Sequence, residues 1–319
     1  MRWVLSLWLL MLTACAVQPV AVAPDVVHAR AHNGGSTVGF SQGGELLASG
    51  GWEGRVLIWR LPGGEPFYRW QAHQDSVNGV VFTDNDTHVV TAGYDGWLAE
   101  WTLGGAALRR VMTPAPITCM AASTRDDRLI TGHDDGSVRI WRLHDLSLLE
   151  ERKLHRGKVK AVALETTGGR YASSGADGAV YVWTDVTEAV PLERPPTDAW
   201  TLAFSPDGRW LYGGGWFRLF RWNPSDGAFV SLPTEHHGII KSIQFTADGG
   251  ELATISRQTD SAVLFLDPVT GAVTRRFQQH ELCGASIAVS PRGRYLATTS
   301  DDASVRIWVL DRQTGKDAN

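Results

Sequence analysis

Three sets of side chains in this chain combine the residue types of a hydrolytic relay. His73, Thr91 and Asp95 form one, His155, Ser173 and Asp177 a second, and His280, Thr298 and Asp302 a third. In each, the hydroxyl follows the imidazole by 18 residues and the carboxylate follows the hydroxyl by 4. A Trp (Trp101, Trp183 or Trp308) stands 6 residues further on. A carboxylate that orients an imidazole, which takes a proton from a hydroxyl, is the machinery of acyl transfer. The repetition argues against that use, because the set recurs at fixed positions of a longer unit. Neither a G-x-S-x-G elbow nor a phosphate-binding Gly loop accompanies it. Glu235-His236-His237 has the residue types of a metal site, but His237 takes the repeat's His position and Glu235 reads as loop. No haem-attachment Cys-x-x-Cys-His occurs. The Asp pairs at 126–127, 134–135 and 301–302 lie at turns, where Asp caps the local backbone. No catalytic group, metal or cofactor is expected.

The unit behind the repetition centres on Asp135-Gly136-Ser137-Val138-Arg139-Ile140-Trp141, a tight turn and a short strand ending in Trp. Six segments share its place: Glu53–Trp59, Asp95–Trp101, Asp177–Trp183, Trp216–Trp222, Asp260–Leu266 and Asp302–Trp308. In chain order the seven starts are separated by 42, 40, 42, 39, 44 and 42 residues. A period of this length with a terminal Trp resembles the WD40 repeat. The resemblance covers Asp25 to Leu310. It implies an all-β fold, a seven-bladed β-propeller of four-stranded blades. The last unit lacks a fourth strand, so Asp25–Arg30 is expected to supply it and to close the ring, leaving no unpaired edge.

The resemblance also gives the recurring residues a structural role. It implies a hydrogen-bonded tetrad linking carboxylate, imidazole, hydroxyl and indole, complete in units two, four and seven. The other units depart from the pattern. Glu53 replaces Asp in unit one, and Pro114 and Pro116 stand where unit three would carry its His. Unit five has Trp216 in place of Asp. Unit six has His237, Ser256 and Asp260, with an insertion at Arg257–Asp260 and Leu266 for Trp.

Residues 1–14 read as a signal peptide. Arg2 is the positive end, and the apolar run Trp3–Leu12 would make a helix of about 15 Å, short of a ~30 Å hydrocarbon core. Leu12-Thr13-Ala14-Cys15 resembles the bacterial lipobox, which implies lipidation of Cys15 and stable membrane anchoring by several acyl chains. Ala16 after that Cys points by the same analogy to the outer membrane, facing the periplasm. Residues 15–24 are expected to be a lipidated tether, and 25–319 the propeller. Cys119 and Cys283 fall in separate units, too far apart for a disulfide, and read as packed free thiols. The net charge is -4, and one unit lower without Arg2. That acidity argues against nucleic acid as the main partner.

Function is therefore expected on a surface. The residues before each turn carboxylate and those at the start of each inner strand ring one face of the propeller. Among them Trp52, Tyr94 and Trp200, with Lys158, Lys160 and Lys241, form an aromatic and basic rim suited to anchoring a partner. These residues suggest a non-enzymatic, monomeric interaction scaffold of the bacterial envelope whose partners are other envelope proteins. The alternative is an envelope enzyme or small-ligand receptor that uses the central funnel.

Overall fold

A computed structural model describes residues 20–63, 65–165 and 169–310. They form seven four-stranded antiparallel sheets set in a ring, a seven-bladed β-propeller. Blade one runs Gly35–Phe40, Leu46–Gly51, Arg55–Arg60 and Tyr68–Gln71. The inner strands of blades two to seven begin at Val77, Ile117, Val159, Thr201, Ile239 and Gly284. The two middle strands of each blade are apolar on both faces because a neighbouring blade covers each face. Leu47, Leu57 and Trp59 of blade one pack against Ala297 and Ile307 of blade seven. Ala48, Val56 and Ile58 pack against Val77, Val89 and Ala99 of blade two. Burial at about 25 cal/mol per Å² of apolar surface drives this blade-on-blade stacking. The outer strands are mostly polar or half-exposed.

Ring closure follows the expectation. Val26–His28 pairs antiparallel with Val305–Val309, matching Val26 to Ile307 and His28 to Val305, and completes blade seven. His28 stacks on Trp59 of blade one with ring centroids 4.0 Å apart, which ties the last blade to the first. The chain joins the ring earlier than the tether boundary at residue 24 suggests. The Val22 N–H donates to the Arg276 carbonyl at 2.9 Å and the Val22 carbonyl accepts from Gln278 at 2.8 Å, so this segment leans on blade six before entering blade seven. Cys15 and the leader lie outside the described residues. Among the described residues no helix is long and apolar enough to cross a membrane.

The turn between the second and third strands has one backbone requirement. Its second position is left-handed in every blade, with Gly54 at φ 78° and Gly136 at φ 86°. Phe217, Ser261 and Ala303 hold the same place in blades five, six and seven at φ 59°, 51° and 68°. In blade one the turn packs so closely that a Cβ on Gly54 would lie 2.0 Å from the His73 carbonyl oxygen.

Candidate interaction face

The tetrads hold the turns that present this face. In blade two the His73 Nδ1–H donates to Asp95 at 2.9 Å, Thr91 donates to His73 Nε2 at 2.7 Å, and the Trp101 indole donates to Thr91 Oγ1 at 2.9 Å. An ionised carboxylate can only accept, and this fixes the imidazole tautomer and the direction of the chain. Burial alone would raise the Asp95 carboxyl, but His73 and the Gln74 backbone N–H hold it below its usual range.

In blade four His155 bonds Asp177 at 3.0 Å and Ser173 at 2.8 Å. In blade seven His280 bonds Asp302 at 2.9 Å and Thr298 at 2.7 Å. The expected Trp link is missing in both. The Trp183 indole nitrogen is buried with no hydrogen-bond partner among the described residues, and the Trp308 indole donates to the Val22 carbonyl at 3.0 Å. In blade seven the N-terminal segment offers a competing backbone acceptor, as the Glu193 carbonyl does for the Trp222 indole of blade five at 2.8 Å. The carboxylate–imidazole–hydroxyl part of the expectation is realised in blades two, four and seven, and the complete tetrad only in blade two of these.

Blade one builds a complete tetrad as well. His32 bonds Glu53 and Ser49, each at 2.9 Å, and Trp59 donates to Ser49 at 2.9 Å. Burial would raise the Glu53 carboxyl, but the His32 contact and the Asn33 backbone N–H bring it down to about 2. Blade three finds its imidazole elsewhere. His133, on the second strand itself, bonds Thr131 at 2.8 Å and the Ala115 carbonyl at 3.1 Å, while Trp141 donates to Thr131. Burial, then the nearby Arg139, pushes His133 down to about 4.

In blade six the imidazole is His236, not His237. His236 bonds Thr254 at 2.8 Å, and its Nδ1 stands 3.5 Å from Asp260. The inserted residues let Ser256 take Asp260 instead. The 18-residue spacing of His236 to Thr254, the same as in blade two, was the available signal.

Each inner strand of blades one to four, six and seven slips register by one residue near its start. The unpaired residues of these bulges are Ser36, Asn78, Thr118, Lys160, Lys241 and Ala285. A bulge re-aims the side chain it carries, and all six residues line the central channel, a cavity of about 840 Å³. In four blades the re-aimed side chain bonds toward the next blade. Ser36 donates to Asn78 at 3.2 Å, Asn78 to the Ile117 carbonyl at 2.8 Å, and Thr118 to the Val159 carbonyl at 2.7 Å. Lys160 pairs with Asp198.

Of the six rim residues expected from sequence, Trp52, Lys158, Lys160, Trp200 and Lys241 line this channel. Lys160 and Lys241 stand over the Trp200 ring at 4.1 and 5.7 Å from its centroid. Tyr94 is not in the lining but joins the rim laterally. Lys158 lies over its ring at 5.0 Å, and its hydroxyl donates to Asp134 at 3.2 Å. Trp52 packs so close to Gly34 that a Cβ there would lie 2.6 Å from the indole, and it is 45% exposed. Arg257, which sequence reasoning did not select, also lines the channel and pairs with Asp301 at 2.8 Å. Desolvation, then the positive charges of Arg257, Lys158 and Lys160, brings Lys241 down to about 8. Cys119 and Cys283 are free thiols. Burial pushes Cys119 up to about 11, opposite to what a nucleophile needs.

Outside the channel, Asp84, His88 and Glu100 bring potential ligand atoms within 4.8 Å of one another. With Arg109 at 3.1 Å from Glu100 they make an ion-pair cluster of blade two.

The fold and its repeating turn define a class of protein, the repeat-built β-propeller. Four segments, 26–60, 64–102, 108–142 and 271–309, match the family described as WD domain, G-beta repeat. The matched segments cover blades one, two and seven, including the closing strand, together with the three inner strands of blade three and the outer strand of blade six. The chain is similar to human striatin-4, with 22% identity over 284 residues, 78% of this chain and 38% of striatin-4. It is also similar to the WD repeat-containing protein SL1-17 of Schistosoma mansoni, with 29% identity over 185 residues, 56% of this chain and 60% of that protein. Autophagy-related protein 16 of Arabidopsis thaliana is 26% identical over 211 residues, 63% of this chain and 42% of the relative. The chain thus spans less than two thirds of these relatives' own length.

Proposed function

We propose that this chain is a non-enzymatic interaction scaffold of a bacterial cell envelope, anchored through a lipid on Cys15 in the outer membrane and facing the periplasm. Its partner would be another envelope protein, docked on the channel mouth. The observation that carries this reading is the rim itself: Trp52, Trp200, Lys158, Lys160 and Lys241 line one channel mouth, with Lys160 and Lys241 carried on bulged strands and standing over the Trp200 ring. Aromatic anchors on a rigid platform suit protein recognition, since little conformational entropy is lost on docking. The test is recovery of crosslinked proteins from membranes with the full chain and its Trp52→Ala and Trp200→Ala variants. Loss of the same crosslinked species from both variants supports the reading, and unchanged recovery from both refutes it. The anchor is tested separately with Cys15→Ser, and an exported variant that still sediments with membranes would remove it.

One observation favours a second reading, a small-ligand receptor. The channel volume of about 840 Å³ lies within the range of small-molecule sites. Equilibrium dialysis of the full chain against a metabolite extract tests it, and enrichment that Trp200→Ala abolishes would support it.

A further inference from the structure

We propose that Lys241 anchors an anion subsite in the channel mouth, which takes the carboxylate of an acidic side chain from a docked partner segment. This rests on the reading of the channel mouth as the docking face and names the chemistry it recognises.

The first support is the pattern of bulge residues. In blades one to four the re-aimed polar side chain is used to hold the ring together, through the Ser36, Asn78, Thr118 and Lys160 contacts. Lys241 is re-aimed by the same one-residue slip, between Ile240 and Ser242. Among the described residues it makes no hydrogen bond or ion pair, and its ammonium stands over the face of Trp200. The fold thus delivers an ammonium group into the channel and gives it nothing to hold.

The second support is charge. Lys158, Lys160 and Arg257 each have a carboxylate: Asp134 at 4.0 Å, Asp198, and Asp301 at 2.8 Å. Lys241 is the cation left over. Its lowered proton affinity reflects the same deficit, since desolvation and three neighbouring cations act on it. A bound anion would offset both. The third support is the Trp200 indole N–H, a buried donor that has no partner among the described residues. An acceptor at the mouth could satisfy it together with Lys241.

With Asp134, Asp198 and Asp301 paired to Lys158, Lys160 and Arg257, the mouth is left with one net positive charge, which suits a monoanion better than a dianion. A phosphate dianion would leave the mouth with a net negative charge, whereas a carboxylate would neutralise it. The cavity is many times larger than one carboxylate and runs to the exposed Trp52, which favours a peptide segment over a free ion.

The experiment titrates the full chain in detergent with capped hexaglutamate, capped hexaglutamine and inorganic phosphate. It follows heat of binding and, by mass spectrometry, acetylation of each lysine. Hexaglutamate is expected to bind and to protect Lys241 from acetylation, whereas hexaglutamine is not. Lys241→Met should weaken hexaglutamate binding about tenfold or more, and Lys241→Arg should retain it, as for loss of a charged hydrogen bond. Equal binding to Lys241→Met, or no protection of Lys241 in the unmodified chain, overturns the proposal. Phosphate protection as strong as that of hexaglutamate replaces the partner carboxylate with a free anion and overturns it too. The crosslinking assay separates the two levels. Partners lost with Trp200→Ala but kept with Lys241→Met leave the docking face standing and remove the anion subsite. Partners kept with both remove the docking face.

Discussion

Thr91 and Thr298 hold equivalent places in blades two and seven, are both fully buried, and both bond an imidazole at 2.7 Å. They differ in one partner. Thr91 Oγ1 also accepts the Trp101 indole, whereas Trp308 gives its indole to Val22. Replacing either Thr with Val keeps the shape and deletes the hydroxyl. In blade two this orphans two buried groups, the Trp101 N–H and the His73 Nε2, at about 1–3 kcal/mol each before relaxation. In blade seven it orphans only His280 Nε2. The expected costs are about 2–4 kcal/mol for Thr91→Val and about 1–2 kcal/mol for Thr298→Val, and the gain from the added methyl cancels in the comparison. If ~290 residues unfold together at about 2.1 cal/mol/K per residue, 1 kcal/mol corresponds to about 1.6 °C.

The assay is equilibrium urea unfolding followed by circular dichroism, with equal m values required before midpoints are compared. A double-mutant cycle isolates the indole. Thr91→Val and Trp101→Phe should couple by about 1 kcal/mol or more, and Thr298→Val and Trp308→Phe should be additive within about 0.5 kcal/mol. Equal costs for the two Val variants, or equal coupling in the two blades, would refute the reasoning that Trp308 has left its tetrad.

Asp177→Ala should destabilise more than Asp207→Ala, by about 1–2 kcal/mol. Asp177 holds His155 and the Arg156 and Ala179 backbone N–H groups, whereas Asp207 holds Ser205 and the Arg209 N–H of an exposed turn; urea midpoints decide it. Gly227→Ala meets nothing within 4 Å and faces only its φ of 76°, whereas Gly54→Ala at φ 78° also meets the His73 carbonyl at 2.0 Å. Gly227→Ala should cost about 1–2 kcal/mol and Gly54→Ala clearly more, read as thermal midpoints. His133 gives a pH dependence. Its folded proton affinity is lowered from 6.5 to about 4, so between these values the unfolded chain binds a proton that the folded chain refuses. Stability therefore falls as pH drops from 6.5 towards 4, by about 3 kcal/mol at most from this group. Between pH 6.5 and 4.5, above most carboxyl titrations, His133→Gln should show a shallower loss of urea midpoint than the unmodified chain.

The ring and its closure were legible because they follow from a period and an alternation, and both survive imperfect repeats. Blade five shows how far this goes. Trp216 and Phe217 replace the turn's Asp-Gly, yet the backbone keeps the left-handed position and the blade keeps its place. The tetrads were less legible, because a hydrogen-bond network can draw its members from more than one strand. His133 reaches Thr131 from two residues away on the same strand, where no spacing rule looks for it. In blade one His32 stands 17 residues before its hydroxyl, where His73, His155, His236 and His280 stand 18 before theirs, and Glu53 takes the place of Asp.

The channel was legible only as a set of positions. Ser36 through Ala285 could be aligned as equivalent, but what makes them a site is a one-residue slip in strand pairing, which leaves no mark in composition. What separates Lys160 from Lys241 is the neighbour each one meets. The blade after Lys160 presents Asp198, and the blade after Lys241 begins Cys283-Gly284-Ala285, with no acceptor side chain at the bulge. A repeat that stitches its blades through one re-aimed side chain becomes able to bind wherever the next blade withholds the acceptor. The place to look for specificity in such a ring is therefore the polar bulge residue whose following blade offers no partner.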